Sequence, residues 1–416
     1  MESKINRRTT CRMCGSSNLI LVYQLAPTPI GDAYVTADQL NIFQEKYPIE
    51  MFLCRDCGLV QLLDVISPEV LYSDYIYMTS SSLEMQEHFP KYAKDVVGRI
   101  KPAPGALVVD IGSNDGTLLR HFKNNGLQVI WVEPAAEIAR TATENGVKTI
   151  PGFFTPELAL RIRQEQGPAS IITANNVYAN VDDLFSLTEG IRSLLAPNGV
   201  FIFESFYLAD VIENKVFDFI YHEHLSAFSV APVKRFFQQR GMQLIDVQRV
   251  PTKGGSLRYT IQLSGAPRSV SPSVQSMLDF EKRIGLYHPE TYKAFLREID
   301  RLKQLTLADL KKLKSEGKTI AGYGASITGT TLIYHFDIGE YLDYLIDDNP
   351  AKQGRFSPGL HIPVYHPKLL YEHKPDYVLI LAWRFAEQII KKHEAFLNQG
   401  GKFIIPVPEF RTVEHQ

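Results

Sequence analysis

Short apolar runs separated by helical stretches recur twice along this chain, and that alternation constrains the fold more than any other feature. From Ala106 the runs are A-L-V-V-D-I-G, Q-V-I-W-V-E-P, A-S-I-I-T-A-N-N and G-V-F-I-F-E-S-F. From Lys318 they are K-T-I-A-G-Y-G-A-S, Y-L-D-Y-L-I-D-D-N, Y-V-L-I-L-A-W and K-F-I-I-P-V-P. Near-continuous apolar strands alternating with helices predict parallel sheets covered on both faces, so the fold class is α/β with two doubly wound domains. Two further β-rich runs, M-Q-L-I-D-V-Q-R-V and S-L-R-Y-T-I-Q-L, are joined through Lys253-Gly254-Gly255 and predict an antiparallel pair closing the first sheet.

The cysteines add a second constraint. They occur as two C-x-x-C pairs, Cys11/Cys14 and Cys54/Cys57. Each such turn presents two thiolates on one knuckle, so the four residues complete a closed, tetrahedral and therefore structural zinc site. Neither pair opens a helix after a strand, which argues against a redox dithiol. The expected organisation is a zinc-binding module at 1–70, a first α/β domain at 71–270, a helical connector at 271–317 and a second α/β domain at 318–416. The connector is read from apolar residues at helical spacing, such as Phe295, Ile299 and Leu302, set among many charges.

A length of 416 residues suits two or three domains, and 45% hydrophobic with 22% charged residues is ordinary globular usage. With 44 basic against 46 acidic residues the formal net charge is -2, which lacks the broad positive field of a nucleic-acid binder. The N-terminal M-E-S-K-I-N-R-R-T-T has no apolar core, and the run Tyr377 to Trp383 is too short to span a bilayer. The sequence is read as cytoplasmic, with no membrane and no nucleic-acid partner.

At the end of the first strand of the first α/β domain stands Val109-Asp110-Ile111-Gly112-Ser113-Asn114-Asp115-Gly116, followed by the helical T-L-L-R-H-F. Gly112 and Gly116 would let backbone N–H groups approach a ligand, and Asp110 and Asp115 place carboxylates beside it. Two acids suit a cationic ligand better than a pyrophosphate. Glu133 ends the next strand, where it can accept ribose hydroxyls, and Asn175-Asn176 ends the fourth beside the same crevice. This set matches the binding pattern of S-adenosylmethionine, whereas G-S-N-D-G lacks the G-x-G-x-x-G spacing of a dinucleotide site.

After the fifth strand comes F-D-F-I-Y-H-E-H-L-S-A-F-S, with Tyr221, His222, Glu223 and His224 consecutive. His224 can abstract a proton near neutral pH, while Glu223 or Tyr221 can orient a ligand or support developing charge. H-E-H is too short for a zinc H-E-x-x-H motif. Upstream, Tyr72, Tyr75 and Tyr77 crowd one segment, either as packing filler or, for Tyr75 and Tyr77, as a lid over the crevice.

Taken together, the paired knuckles, V-D-I-G-S-N-D-G, Y-H-E-H-L-S, G-G-S-L-R, G-Y-G-A-S, I-D-D-N-P-A-K-Q-G and S-P-G-L-H-I-P-V resemble the nucleotide-diphosphate deoxysugar C-methyltransferases over essentially the full length. The resemblance implies a class I methyltransferase Rossmann-like central domain, a second Rossmann-like C-terminal domain and an N-terminal zinc module. It implies methylation of carbon 3 of a TDP- or GDP-linked 4-keto-deoxysugar, using S-adenosylmethionine and structural zinc. His224 matches the family's general base, with Tyr221, Glu223 and Tyr75 near the sugar. The chain departs from the family pattern at Asn180 and Lys253, where the pattern has histidine. Candidate substrate-binding residues are Arg258, Tyr323, Gly324, Asp347, Asn349 and Lys352, with Arg258 and Lys352 placed to neutralise phosphates. The expected assembly is a monomer or weak homo-oligomer. Two rival readings are an NAD-dependent oxidoreductase, using G-Y-G-A-S-I-T-G with Asp347 as its fingerprint, and a non-catalytic zinc- and nucleotide-binding scaffold. The glycine spacing of the first and the balanced charge of the second count against them.

Overall fold

The computed structural model describes residues 5–72, 82–112, 114–135, 140 and 149–415, and Tyr75 and Tyr77 lie outside them. The chain forms two compact units that do not follow the boundaries expected from sequence. The first gathers residues 1–20, 52–210 and 225–288, and the second gathers 21–51, 211–224 and 289–416.

In the first unit a seven-stranded sheet has the order Met242–Val250, Ser256–Leu263, Leu195–Phe206, Ala169–Thr173, Leu107–Ile111, Gln128–Glu133, Thr149–Pro151. Pairings among the last five strands are parallel, while Ser256–Leu263 runs antiparallel to both its neighbours. This is the class I methyltransferase arrangement, and the antiparallel pair read from sequence is present. The order reverses direction at Leu107–Ile111, whose neighbours on either side come from different chain segments, and such a switch point opens a crevice beyond the carboxyl ends of the strands.

The helix Leu83–Ile100 shows why one face of this sheet stays dry. Ser82 caps it by accepting from the Met85 N–H, and Lys101 ends it in the left-handed region at φ 49°. Met85, Phe89, Tyr92, Ala93 and Val96 recur at helical spacing and pack with Val108, Trp131, Ile171 and Ile202 of the sheet. The cysteine knuckles belong to the same unit.

The second unit carries a six-stranded sheet ordered Val364–Tyr365, Tyr344–Ile346, Ile320–Tyr323, Tyr377–Ile380, Lys402–Ile405, Arg411–Val413, parallel except for the last pair. It too reverses at its first strand, which makes it the second Rossmann-like domain. Packing explains why distant segments join it. Tyr23 lies 5.3 Å from Phe295 on the long helix Pro289–Ser315. Phe217 stacks on Phe336 at 5.2 Å, and Asp218 receives the Trp383 indole N–H at 2.9 Å. The interval between the cysteine pairs is folded, as expected: Leu19–Thr28 and Tyr47–Cys54 are strands of a four-stranded sheet. The region expected as one connector is likewise divided: Pro272–Arg283 is counted with the first unit and Pro289–Ser315 with the second.

Candidate active site

The crevice of the first unit opens into a cavity of about 440 Å³. Asp110, Gly112, Glu133 and Asn175 all line it, each at or just past the carboxyl end of a strand. Glu133 accepts the Asn114 N–H at 2.8 Å through one oxygen and the Ala135 N–H at 3.0 Å through the other. Burial raises its carboxyl above the usual range, and those two N–H groups oppose the rise. Asp110 is more enclosed. Desolvation pushes its carboxyl up to about 7, against the lowering effect of the Thr173 hydroxyl, which donates to it at 2.5 Å. Asn175 accepts the Glu204 N–H at 3.0 Å, and its side-chain amide lies at the buried Tyr92 hydroxyl. A cationic, ribose-bearing ligand fits this set, with carboxylates for charge and for hydroxyls and an amide beside them.

Asp115 and Gly116 have local duties instead and do not line the cavity. Asp115 accepts the Thr117 N–H and hydroxyl at 3.2 and 2.6 Å, one residue before the Gly116 N-cap of the helix Thr117–Asn124. Gly116 sits at φ 71°, and a Cβ there would lie 1.2 Å from the buried Trp131 ring. A helix start and a ligand-binding turn use the same small and acidic residues, so their sequence pattern does not tell the two apart.

Tyr221, His222, Glu223 and His224 form a tight turn closed by the His224 N–H bonding the Tyr221 carbonyl at 2.9 Å. The closure sets the Tyr221 and His224 rings 4.0 Å apart. His224 Nδ1 bonds the Phe219 carbonyl at 2.6 Å; a carbonyl only accepts, so Nδ1 carries the proton and Nε2 the lone pair of the neutral ring. His222 faces elsewhere: its Nε2 bonds the Tyr47 carbonyl at 3.1 Å, and burial drives its imidazole down to about 4, so it stays neutral. Glu223 is buried. The turn is counted with the second unit.

Arg258 is spent inside the first unit. Its Nε donates to Glu204 at 2.6 Å, its Nη1 to Asp95 at 3.0 Å, and it lies over the Tyr92 ring at 4.0 Å. The phosphate role expected of it is taken by no surface it presents to the cavity, which it does not line. In the second unit Tyr323, Gly324, Asp347, Asn349 and Lys352 do collect at the carboxyl ends of the first two strands. Asp347 accepts the Ala325 and Asn349 N–H groups at 2.6 and 2.7 Å, and Asn349 accepts the Ala351 N–H at 3.0 Å. Tyr323 donates to Asp348 at 2.9 Å and meets His393 at 2.9 Å, while Lys352 donates to Asp32 and, at 2.8 Å, to the Ala325 carbonyl.

The four cysteine sulfurs lie within 4.8 Å of one another, with Cys11 to Cys57 at 3.6 Å and Cys14 to Cys54 at 3.5 Å. A tetrahedral zinc with bonds of about 2.3 Å sets its sulfurs roughly 3.8 Å apart, so the cluster fits that ion. Asp182 and Phe153 belong to none of the sequence motifs described above, and Arg12 is only a spacer within C-x-x-C. Asp182 and Phe153 line the cavity, together with Asn180 and Lys253, the two departures from the family pattern. Arg12 lies within the first knuckle and is buried, where nothing in its local sequence marks it.

Among known proteins, the chain is 34% identical over 414 residues to the C-methyltransferase NovU of Streptomyces niveus, covering 99% of each. A C-methyltransferase C-terminal domain model matches residues 251–408, a methyltransferase domain model residues 85–247 and a zinc binding domain model residues 11–72. Among solved structures, the PH0226 protein of Pyrococcus horikoshii OT3 aligns with 48% of this chain and 100% of its own, at 14% identity and a TM-score of 0.38. Magnesium protoporphyrin IX methyltransferase of Synechocystis PCC 6803, solved with S-adenosylhomocysteine, aligns with 44% of this chain and 84% of its own, at 16% identity and a TM-score of 0.34.

Proposed function

The chain belongs to the S-adenosylmethionine-dependent C-methyltransferases, and from that premise we propose that it methylates carbon 3 of a nucleoside-diphosphate-linked 4-keto-deoxyhexose. Its cofactors are S-adenosylmethionine and structural zinc. No helix among the described residues is long and apolar enough to cross a membrane.

The observation that carries the proposal is the proton arrangement of His224. With Nδ1–H committed to the Phe219 carbonyl, Nε2 is the basic nitrogen, and the Tyr221 ring fixes the imidazole plane. A ketone at C-4 acidifies the C-3 proton, which Nε2 takes. The charge passes to the C-4 oxygen as an enolate, where Tyr221, Glu223 and Tyr75 are the candidates to orient it. S-adenosylmethionine supplies an electrophilic methyl group. The C-3 carbon forms the new bond as the sulfonium bond breaks, S-adenosylhomocysteine leaves, and His224 returns its proton to solvent. Asp110, Glu133 and Asn175 orient the donor, so that much of the acceleration comes from holding two reactants in line. The nucleotide, TDP or GDP, is assigned to the strand ends of the second unit near Tyr323, Gly324, Asp347, Asn349 and Lys352.

His224→Asn keeps polarity and removes the base. That variant should bind both ligands yet turn over roughly 10²–10⁴-fold more slowly, the usual worth of a positioned general base. In heavy water with S-adenosylhomocysteine bound, wild type should exchange the C-3 hydrogen of a 4-keto sugar nucleotide and the variant should not. Near-full turnover by His224→Asn would remove it from the chemistry.

A further inference from the structure

Arg12 stands between Cys11 and Cys14, yet its side chain leaves the knuckle and is buried in the first unit. One guanidinium there meets several acceptors. Its Nε donates to Asp182 at 2.8 Å, and its Nη1 donates to the Leu62 carbonyl at 2.6 Å, the Leu225 carbonyl at 3.0 Å and Gln61 at 3.2 Å. Gln61 also accepts the Arg12 N–H at 3.0 Å, so backbone and side chain are fixed together. Arg8 holds the other Asp182 oxygen at 3.0 Å.

Two of these acceptor residues, Asp182 and Leu225, line the cofactor cavity. Asp182 ends the irregular stretch after the strand Ala169–Thr173, which also contributes Asn175, Asn176, Val177 and Asn180 to the wall. Its first part is held by backbone bonds, Ala174 N–H to the Ile202 carbonyl at 3.1 Å and Asn176 N–H to the Glu204 carbonyl at 2.8 Å, and by the short turn Tyr178–Asn180, with Asn176 at a left-handed φ of 57°. Beyond that turn, the side-chain bonds that Arg12 and Arg8 make to Asp182 add to its definition. We infer that Arg12 is a positioning residue for cofactor binding: anchored in the metal knuckle, it pins Asp182 and Leu225 and so sets the shape of the cavity wall. Arginine suits the task because its planar fork reaches several acceptors at once, and a lysine would serve fewer. The inference needs only the cofactor of the family, not the sugar acceptor, so the two stand or fall separately.

The test is calorimetric titration of S-adenosylmethionine into wild type, Arg12→Gln, Asp182→Asn and the double variant, all as full chains with zinc content measured. Each single variant should bind roughly tenfold to a hundredfold more weakly, the scale expected when a site wall is misplaced by about an ångström. The double variant should be little worse than either single one, because both changes break the same link. Binding stoichiometry should stay at one cofactor per zinc-loaded chain, which separates a misshapen site from a loss of folded protein. Affinities within twofold of wild type would overturn the inference, as would a stoichiometry that falls while the affinity of the remaining sites is unchanged. If Arg12→Gln does not fold, Asp182→Asn alone decides, since that side chain sits at the cavity wall and is partly exposed.

Discussion

The two Rossmann-like sheets use the same acidic device and put it to different ends. In the first, Glu133 at the end of the second strand accepts the Asn114 N–H of the loop after the first strand. In the second, Asp347, just past the corresponding strand, accepts the Ala325 N–H of the corresponding loop. Around Glu133 the neighbouring groups open onto a cavity, with Asp110 titrating near neutrality and Asn175 on the same wall. Around Asp347 the neighbours satisfy one another: Tyr371 bonds His393 at 3.0 Å, His393 bonds Tyr323, and Tyr323 donates to Asp348. Since Tyr323 gives its proton to Asp348, it accepts from His393, and Tyr371 donates to the other ring nitrogen. Topology decides where a ligand site can form; the side chains at the strand ends decide what it holds.

The largest effect separating the two crevices is expected from Glu133→Ala set against Asp347→Ala. Removing Glu133 leaves two loop N–H groups without their acceptor and should weaken S-adenosylmethionine binding roughly a hundredfold, about 2.7 kcal/mol. Asp347→Ala should cost the fold about 1–3 kcal/mol for its stranded N–H groups and leave cofactor affinity within twofold. Calorimetry with urea unfolding checks both. Equal losses of affinity would erase the distinction drawn between the crevices.

A smaller effect concerns pH. Asp110 ionises near 7 in the fold, well above an ordinary aspartate near 4, so the folded chain holds more protons between those values. Its contribution to stability is therefore fully present below about pH 4 and is lost as pH rises through about 7. A cationic donor prefers the ionised form, so cofactor affinity should rise up to about tenfold from pH 6 to pH 8, and Asp110→Asn should flatten the rise. A flat wild-type profile would mean that Asp110 binds as its neutral acid.

The smallest expected effect is at Tyr323→Phe, which cuts the bond to Asp348 and leaves His393 without its acceptor. A cost of about 1–2 kcal/mol in urea unfolding, with unchanged cofactor affinity, is expected.

Both sheets were legible in sequence because near-continuous apolar strands declare parallel pairing locally. The strand-end residues Asp110, Gly112, Glu133 and Asn175 were legible for the same reason, since strand ends mark the crevice. The partition into units was not. Tyr23 with Phe295, or Phe217 with Phe336, joins segments whose pairing leaves no periodic trace. Asp115 and Gly116 show the opposite problem, a local pattern shared by two purposes, here a helix start and a seat for Trp131. Arg12 and Asp182 were silent because an ion pair between remote residues changes no spacing.

The central claim is carbon methylation of a keto sugar at a base-generated enolate. The most direct test incubates the enzyme with S-adenosylmethionine carrying a ¹³C methyl group and a TDP- or GDP-linked 4-keto-deoxyhexose, and locates the label by carbon–proton correlation. The expected product carries the label on C-3, bonded to carbon, and forms with wild type but only slowly with His224→Asn. A label on oxygen or nitrogen, or no transfer to either sugar nucleotide by protein that binds the cofactor, would contradict the account.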